Sequence, residues 1–169
     1  MWPILRKIAE LLETQNNIRL KSYDYGCGIG DISLALYNMG FEVFGCDLDT
    51  GLLHFTKWRF HKRNIKFQME FITYPDLYPE LIQSEYDIII CREVLEHIRN
   101  PLKVIMNIYN GLKSNGFFYT SSLYPNNYRE IGGTHLKESI QMAKSKTYLN
   151  TFNSLFIGID GVNGLYKKK

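Results

Sequence analysis

Short runs of apolar residues, some continuous and some interrupted by polar residues, recur along this chain and are separated by longer stretches that are apolar on one side only. The runs predict strands, and their boundaries are Arg19–Tyr23, Phe41–Cys46, Ile65–Phe71, Tyr86–Cys91 and Phe117–Leu123. The run from Tyr86 to Cys91 is apolar almost throughout, as expected of a strand that helices cover on both faces. The chain therefore predicts at least five strands, of which this one is central.

The one-sided stretches between the runs predict helices, because apolar residues recur at helical spacing. They cover 1–16, Ile32–Met39, Thr50–Arg63, Pro101–Leu112 and Leu136–Lys146. Thr50 and Asn100 are the predicted N-caps, since both residue types carry a side-chain oxygen that accepts from first-turn N–H groups. Two closing strands are predicted at Phe152–Ile159 and Val162–Tyr166. Trp58 and Phe60 are expected to pack the inner face of their helix.

Strands that alternate with helices predict βαβ crossovers and so an α/β fold. We expect a Rossmann-like, doubly wound and mostly parallel sheet with helices on both faces. The 169 residues are enough for a single domain, with an N-terminal helix at 1–16, a core at 19–123, and a substrate-side loop with C-terminal strands at 124–169. Ligands of such sheets bind in the crevice at the carboxyl ends of the strands.

Composition is that of an ordinary globular protein, with 45% apolar and 22% charged residues. The net charge of +3 is mild, and part of it lies in Lys167–Lys169, which we expect to be a solvated end. No basic stripe is identified elsewhere, so nucleic acid is not a predicted partner. Neither a transmembrane run nor a signal peptide is recognised, and the three sparse cysteines predict a reducing, cytoplasmic setting.

Chemistry is concentrated first in the turn Asp24-Tyr25-Gly26-Cys27-Gly28-Ile29-Gly30 between a predicted strand and a predicted helix. Glycines let a ligand approach the backbone, and the helix N-terminus offers free N–H groups to an anionic group. Asp47 ends the second strand, 21 residues after Gly26, where an acid can accept hydrogen bonds from both hydroxyls of a ribose. We expect the amides around Gly28 and the Asp47 carboxylate to contact opposite ends of one ligand.

The second informative segment follows the fourth strand and reads Cys91-Arg92-Glu93-Val94-Leu95-Glu96-His97-Ile98-Arg99-Asn100-Pro101. Together with the D-x-G-x-G-x-G turn, it resembles the class I S-adenosylmethionine-dependent methyltransferases. The E-V-L-E-H-x-x-N-P pattern and the Gly133-Thr134-His135 triplet are most similar to the ubiquinone-biosynthesis O-methyltransferases. The resemblance extends from about Lys21 to Leu123.

This resemblance implies S-adenosylmethionine as the cofactor. The residues expected to bind it are Asp24, Gly26, Cys27, Gly28, Gly30, Asp47, Leu48 and Cys91. Asp24 would hold the amino group of the methionine part, directly or through water, and Leu48 would lie against the adenine. The family also carries an acid after the third strand that contacts the adenine amino group, and here both Glu70 and Asp76 qualify.

The resemblance also implies methyl transfer to a small molecule, with oxygen as the expected acceptor atom. His97 is the candidate general base, with Glu96 and His135 beside it, because histidine titrates near neutral pH. Alternatively, Glu93, Glu96, His97 and His135 would hold a divalent ion such as Mg²⁺, Mn²⁺ or Zn²⁺, as in metal-assisted family members. This arrangement assumes a helical turn that brings Glu93 to the side of Glu96 and His97. In a third interpretation, Glu96 and His97 only brace the corner between strand and helix.

Tyr119, Tyr124 and Tyr128 lie on the expected substrate side, where they can stack on a ring or bind a hydroxyl. The insertion that usually shapes the substrate pocket of this family is absent or very small. The pocket is therefore open, is completed by a partner or a second copy of the chain, or belongs to a truncated chain. The alternatives are a cofactor-binding module without catalysis, an RNA 2′-O-methyltransferase, and a nicotinamide-dependent reductase, for which no Tyr-x-x-x-Lys pair lies at the position that such an enzyme needs.

Overall fold

A computed structural model describes residues 3–12, 19–74, 78–125 and 135–169. The strands are Lys21–Tyr25 (β1), Glu42–Leu48 (β2), Phe67–Ile72 (β3), Tyr86–Cys91 (β4), Leu112–Thr120 (β5), Phe156–Gly158 (β6) and Leu165–Lys168 (β7). The α-helices are Pro3–Leu12 (α1), Asp31–Asn38 (α2), Gly51–His61 (α3), Pro101–Gly111 (α4), Lys137–Lys144 (α5) and Lys146–Leu155 (α6). A single 3₁₀ turn, Leu95–His97, lies between β4 and α4.

The described strands form one sheet in the order β3-β2-β1-β4-β5-β7-β6. The first five are parallel, and β7 runs antiparallel to both β5 and β6. This arrangement confirms the predicted doubly wound, mostly parallel sheet. The strand order reverses between β1 and β4, and Tyr25 at the end of β1 pairs with both Cys46 and Cys91. The residues that follow these three strands are therefore brought together at the switch point, where such sheets bind ligands.

Alternate residues of the central strands supply two separate cores. Ile89 and Phe118 face the side covered by α4, α5 and α6, where Phe152 is buried among them. Ile88 and Ile90 face the opposite side, where they join Leu36 of α2. Because β4 is buried along its whole length, its sequence shows no alternation of polar and apolar residues.

The C-terminal region differs from the sequence prediction. Phe152, expected to begin a strand, is buried within α6. The helix expected over Leu136–Lys146 is present as α5, but Ser145 separates it from α6, a second helix that the sequence did not predict. The Ser145 hydroxyl accepts a hydrogen bond from the Tyr148 amide and so caps the start of α6. Tyr148, Phe152 and Phe156 recur at intervals of four residues, a helical spacing that the apolar run at 155–159 obscured.

Two helix ends are held by side chains. Asn100 accepts from the Lys103 amide at 3.2 Å, which confirms the predicted N-cap of α4, whereas Thr50 caps α3 without a side-chain hydrogen bond. At the other end of α4, the Lys168 ammonium donates to the carbonyls of Tyr109 and Leu112, both at 2.7 Å. The prediction of a solvated lysine end is therefore wrong for Lys168. No helix in the described part of the chain is long and apolar enough to cross a membrane.

Candidate functional site

The glycine turn is fixed against the sheet by its own backbone. The amides of Gly26 and Cys27 both donate to the carbonyl of Cys46, at 2.9 and 3.0 Å. Gly26 has a φ of +78°, and a Cβ atom built on it would lie 2.2 Å from Cγ2 of Val94. Only glycine therefore allows the loop after β4 to approach the turn so closely.

Asp47 lies against this turn. Its Oδ2 accepts from the Gly28 amide at 2.5 Å, and its Oδ1 accepts from the Leu48 amide at 2.6 Å. The carboxylate and the Gly28 amide are thus in contact, and not at opposite ends of a ligand site as the sequence suggested. Each carboxylate oxygen has further acceptor capacity, so Asp47 can still accept from hydroxyl groups of a ligand.

Asp24 is almost fully buried beneath the turn, with 3% of its surface exposed. The Ser33 hydroxyl donates to its Oδ2 at 2.6 Å. Burial raises the pKa of the Asp24 carboxyl to about 6, a rise that the nearby Asp47 charge increases and that hydrogen bonds from Ser33 and the Arg92 charge partly offset. Asp24 is therefore a carboxylate that ionises only at a cost, unless a cation approaches it.

Two cavities open at the carboxyl ends of β1, β2 and β4, and both are lined by Gly26 and Glu93. The first, of about 190 Å³, is the more polar of the two. It is lined in addition by Asp24, Cys27, Gly28, Ile29, Asp31, Ile32 and Arg92. The second, of about 120 Å³, is largely apolar. It is lined in addition by Tyr25, Asp47, Leu48, Ile72, Tyr78, Val94, His97 and Ile98. Together they offer one end suited to charged groups and one suited to an apolar ring.

Glu93 does not adopt the helical turn that the metal hypothesis assumed. Its φ is +54°, and the 3₁₀ turn begins only at Leu95. The Glu93 amide donates to the Ser121 hydroxyl at 2.9 Å, and that hydroxyl lies 2.7 Å from Glu93 Oε1, to which it can donate in turn. Glu93 is thereby directed toward the end of β5 and lies outside the group formed by Glu96, His97 and His135.

Glu96, His97 and His135 do come together. Ligand atoms of the three side chains lie within 4.8 Å of one another, and the two imidazole rings meet edge to face with centroids 5.2 Å apart. Glu96 is buried and accepts from the Ser122 hydroxyl, while its carbonyl accepts from the Leu136 amide at 2.9 Å. The Nδ1 atom of His135 is buried without a hydrogen-bond partner. The group can accordingly bind a proton or a cation.

Some of the remaining predicted residues line the cavities, and others lie elsewhere in the sheet and its loops. Leu48 lines the apolar cavity, whereas Gly30 and the fully buried Cys91 line neither cavity. Glu70 lies in the middle of β3, where Tyr23 donates to it at 3.3 Å, and it lines neither cavity. Asp76 lies outside the described residues, as do Gly133 and Thr134.

The three cysteines are buried and free. Burial raises the pKa of all three thiols, that of Cys46 to about 12, so none is a ready thiolate at neutral pH. Among the tyrosines, Tyr124 packs against Tyr166 with ring centroids 6.1 Å apart, and Tyr119 is half-buried. Tyr128 lies outside the described residues.

Several lining residues carry no role in the sequence interpretation. Arg92 and Val94 belong to the segment after β4 that resembles the family motif, so the sequence predicts that they lie near the crevice but gives neither of them a role. Ile72 and Tyr78 come from the end of β3 and the loop after it, where no motif marks them. The packing of the whole sheet decides which residues at a strand end face the crevice. A short stretch of sequence therefore does not predict them.

A doubly wound sheet whose glycine turn, strand-end acid and apolar cavity meet at the switch point defines a nucleoside-binding α/β domain. The sequence pattern of the methyltransferase domain family matches residues 23–118, more than half of the chain, and the chain belongs to that family. It is 30% identical over 122 residues to the ubiquinone biosynthesis O-methyltransferase of Aliivibrio fischeri strain ATCC 700601 / ES114, a match that covers 71% of this chain and 51% of that protein.

Solved structures agree on the fold. The PH0226 protein of Pyrococcus horikoshii OT3 superimposes with a TM-score of 0.61 at 19% identity, covering 98% of this chain and 91% of that one. An S-adenosylmethionine-dependent methyltransferase from Clostridium acetobutylicum ATCC 824 gives 0.56 at 22% identity, covering 69% and 49%. The chain spans about half the length of the curated relatives it matches.

Proposed function

We propose that the chain transfers a methyl group from S-adenosylmethionine to a hydroxyl of a small molecule. The observation that carries this proposal is the crevice of two cavities that share Gly26 and Glu93, one more polar and one apolar, with Asp47 in the wall of the apolar cavity. Membership of the methyltransferase domain family supports the cofactor, and O-methyltransferases among the relatives support oxygen as the acceptor atom. These matches favour neither a binding module without catalysis nor an RNA 2′-O-methyltransferase.

The residues present suit S-adenosylmethionine. Its methionine part carries an ammonium and a carboxylate, and the polar cavity offers Asp24 to the first and Arg92 to the second. The ribose hydroxyls would donate to Asp47, and the adenine would lie among Leu48, Ile72 and Val94 in the apolar cavity. Gly28 has open space where a side chain would project, which leaves its backbone accessible.

When bound, this cofactor supplies a methyl group already activated on a sulfonium. The chain's own residues have to orient the acceptor, exclude water and remove the hydroxyl proton. His97 lines the apolar cavity and is proposed to take that proton at its imidazole. The buried Glu96 and the ring of His135 would keep the imidazole in place.

Thermal unfolding with added ligands tests the cofactor. Stabilisation should increase with concentration of S-adenosylmethionine and of S-adenosylhomocysteine and be absent with NAD, because only a ligand of the folded state raises the melting temperature. Stabilisation by NAD alone would contradict the proposal.

A panel of catechols, simple phenols, primary amines and thiols, assayed with a radiolabelled methyl group, then tests the acceptor. Label should appear on the hydroxyl compounds, and label only on amines or thiols would contradict oxygen transfer.

As an alternative to the role of His97 as general base, we propose that Glu96, His97 and His135 hold a divalent ion, without Glu93. One carboxylate and two imidazoles suit Zn²⁺ or Mn²⁺, and the unpartnered Nδ1 of His135 is a free donor atom in the cluster. Such an ion would supply Lewis acidity beside the acceptor. Calorimetric titration with Mn²⁺ should show one site that Glu96→Gln removes, and Glu70→Gln is the control. Equal Mn²⁺ affinity in the wild type and Glu96→Gln would contradict the site.

Completion of the acceptor pocket by a partner or a second copy stays a prediction.

A further inference from the structure

Helix α3 carries apolar side chains on two opposite faces. Leu53, Thr56 and Phe60 are buried against the sheet. On the outer face, Leu52, Phe55 and Trp58 are 57%, 45% and 52% exposed. These three form the outer α3 ridge, in which the rings of Phe55 and Trp58 lie 5.6 Å apart. The prediction that Trp58 packs inside is therefore wrong, although it is correct for Phe60.

The fold gives no reason for this ridge. Single exposed apolar residues are ordinary, but a row of three large ones on a helix whose inner face already supplies the core is a mark of an interaction surface. In the described part of the chain, the ridge residues neither line the crevice cavities nor belong to either buried core. The described part of the domain therefore does not account for the ridge.

Positive charge surrounds the ridge. Residues 50–69 contain five of the 20 lysines and arginines and no aspartate or glutamate, so the rest of the chain has 15 basic and 17 acidic residues. Residues 50–69 are therefore strongly basic although the net charge of the whole chain is only +3. The sequence interpretation, which found no basic stripe, missed this segment. Lys57, Lys62, Arg63 and Lys66 are exposed, and none of them has a carboxylate within ion-pair distance among the described residues.

We propose that the outer α3 ridge and the cations around it form a docking surface for an anionic lipid bilayer. Leucine, phenylalanine and tryptophan on one helix face, bordered by lysine and arginine, are the side chains that enter the interface while cations meet the lipid phosphates. The ridge projects from the outer face of a helix, so its shape suits a plane. Single-stranded nucleic acids and helical peptides occupy grooves instead, and Leu52 has no ring on which a base can stack.

Rigid contacts connect this surface to the crevice. The Thr56 hydroxyl donates to the Gly28 carbonyl at 2.7 Å, and Arg59 Nη1 donates to the Ile29 carbonyl at 2.8 Å. Helix α3 also begins three residues after Leu48, which lines the apolar cavity. A bilayer docked on the ridge would therefore lie beside the crevice without any rearrangement of the glycine turn.

Sedimentation with vesicles tests the proposal without cofactor or acceptor, so its outcome is independent of the proposed methyl transfer. The chain should sediment with vesicles of phosphatidylcholine containing about one third phosphatidylglycerol, weakly with phosphatidylcholine alone, and less as salt rises. Tryptophan emission should shift to shorter wavelength on binding. Trp58→Phe should bind as before yet lose most of that shift, because Trp58 is the tryptophan that the ridge contains.

Two pairs of variants separate the apolar from the electrostatic contribution. The double variant Phe55→Ser and Trp58→Ser should weaken binding by about tenfold for each side chain. Its control, Ile82→Ser with Met106→Ser, removes exposed apolar residues elsewhere and should bind normally. The double variant Lys62→Glu and Arg63→Glu should weaken binding by at least about 25-fold, against no comparable change for Lys137→Glu with Lys146→Glu, which alters the net charge equally.

Three results would overturn the proposal. One is equal binding to neutral and anionic vesicles, or none to either. Another is equal loss in the ridge variants and their controls, provided that circular dichroism shows all of them folded. The last is binding to a single-stranded RNA of about 20 nucleotides but not to vesicles, which would assign the same surface to nucleic acid.

Discussion

The two halves of the crevice are built in different ways. The proposed cofactor half is built mainly from one stretch, residues 24–48, to which the later strand ends add Ile72, Arg92 and Val94. Its glycine turn is held by backbone contacts such as those of Gly26 and Cys27 with the Cys46 carbonyl. The acceptor half brings Glu96 and His97 to His135, and side chains from distant segments hold it together. Backbone geometry leaves little room for substitution, whereas a cluster of side chains can be changed one at a time. We infer that the first half preserves cofactor binding and that the second can be altered to suit different acceptors.

The largest effect that separates the two halves should come from His97→Asn. Loss of a general base typically lowers kcat by about 10² to 10⁴. The affinity for S-adenosylhomocysteine should change much less, because His97 is only one of several side chains that line the apolar cavity. Turnover with a hydroxyl acceptor and calorimetry measure the two quantities. His61→Asn, on the exposed end of α3, is the control and should change neither. An equal fall in cofactor affinity would show that the halves are not separable.

A smaller but specific effect should follow from Gly26→Ala. The new Cβ would lie 2.2 Å from Cγ2 of Val94, in a backbone conformation with φ of +78°. Overpacking and left-handed strain together cost about 3 kcal/mol, which should weaken binding of S-adenosylhomocysteine by about 100-fold if the displaced segment is the cofactor site.

Gly40→Ala is the matched control for this variant. Gly40 also has a positive φ, +94°, but a Cβ there would meet nothing within 4 Å. It should lose about 1 kcal/mol of stability from strain alone and keep its cofactor affinity. If both alanine variants bind S-adenosylhomocysteine equally, close approach of Val94 is not required for the site.

How well the sequence predicted each half follows the same division. The turn, Asp47 and the parallel strands come from short contiguous patterns, and the structure has the fold that these patterns predict. The meeting of Glu96 with His135 depends on a chain separation of 39 residues, and only the family resemblance suggested it. The helical turn assumed for Glu93 was wrong because Glu93 adopts a positive φ, with its amide and carboxylate both turned to Ser121.

Surface exposure was the other property that the sequence could not supply. Trp58 and Phe60 lie two residues apart in an apolar helix, and nothing in that spacing says which one faces the sheet. Periodicity is informative when a helix has one apolar face, and α3 has two. The two C-terminal strands also begin later than predicted, at Phe156 and Leu165 and not at Phe152 and Val162. The apolar residues of α6 continue directly into β6, so the sequence shows no boundary between helix and strand.

Asp47→Ala should weaken binding of S-adenosylhomocysteine by about 30-fold, since hydrogen bonds to a charged group contribute about 2 kcal/mol. Asp49→Ala is the control, because Asp49 lies only two residues after Asp47 but is exposed and pairs with His54. Calorimetry should show the loss only for Asp47. Unchanged affinity in Asp47→Ala would mean that this carboxylate serves the glycine turn, through its contact with Gly28, and not the ribose.

The smallest effect concerns the pH dependence of stability. Burial raises the pKa of Asp24 to about 6 from an ordinary value of 3.8, so the folded chain binds this proton more tightly than the unfolded chain. The contribution of Asp24 to stability without ligand should therefore be greatest below about pH 4 and be lost as the pH rises through about 6, by about 2 kcal/mol. Asp24→Asn should abolish that slope in thermal unfolding and weaken cofactor binding at neutral pH, whereas the exposed Asp31→Asn should keep the wild-type slope. An identical slope in the wild type and Asp24→Asn would show that Asp24 is not the titrating group, and that its carboxylate does not await a cation.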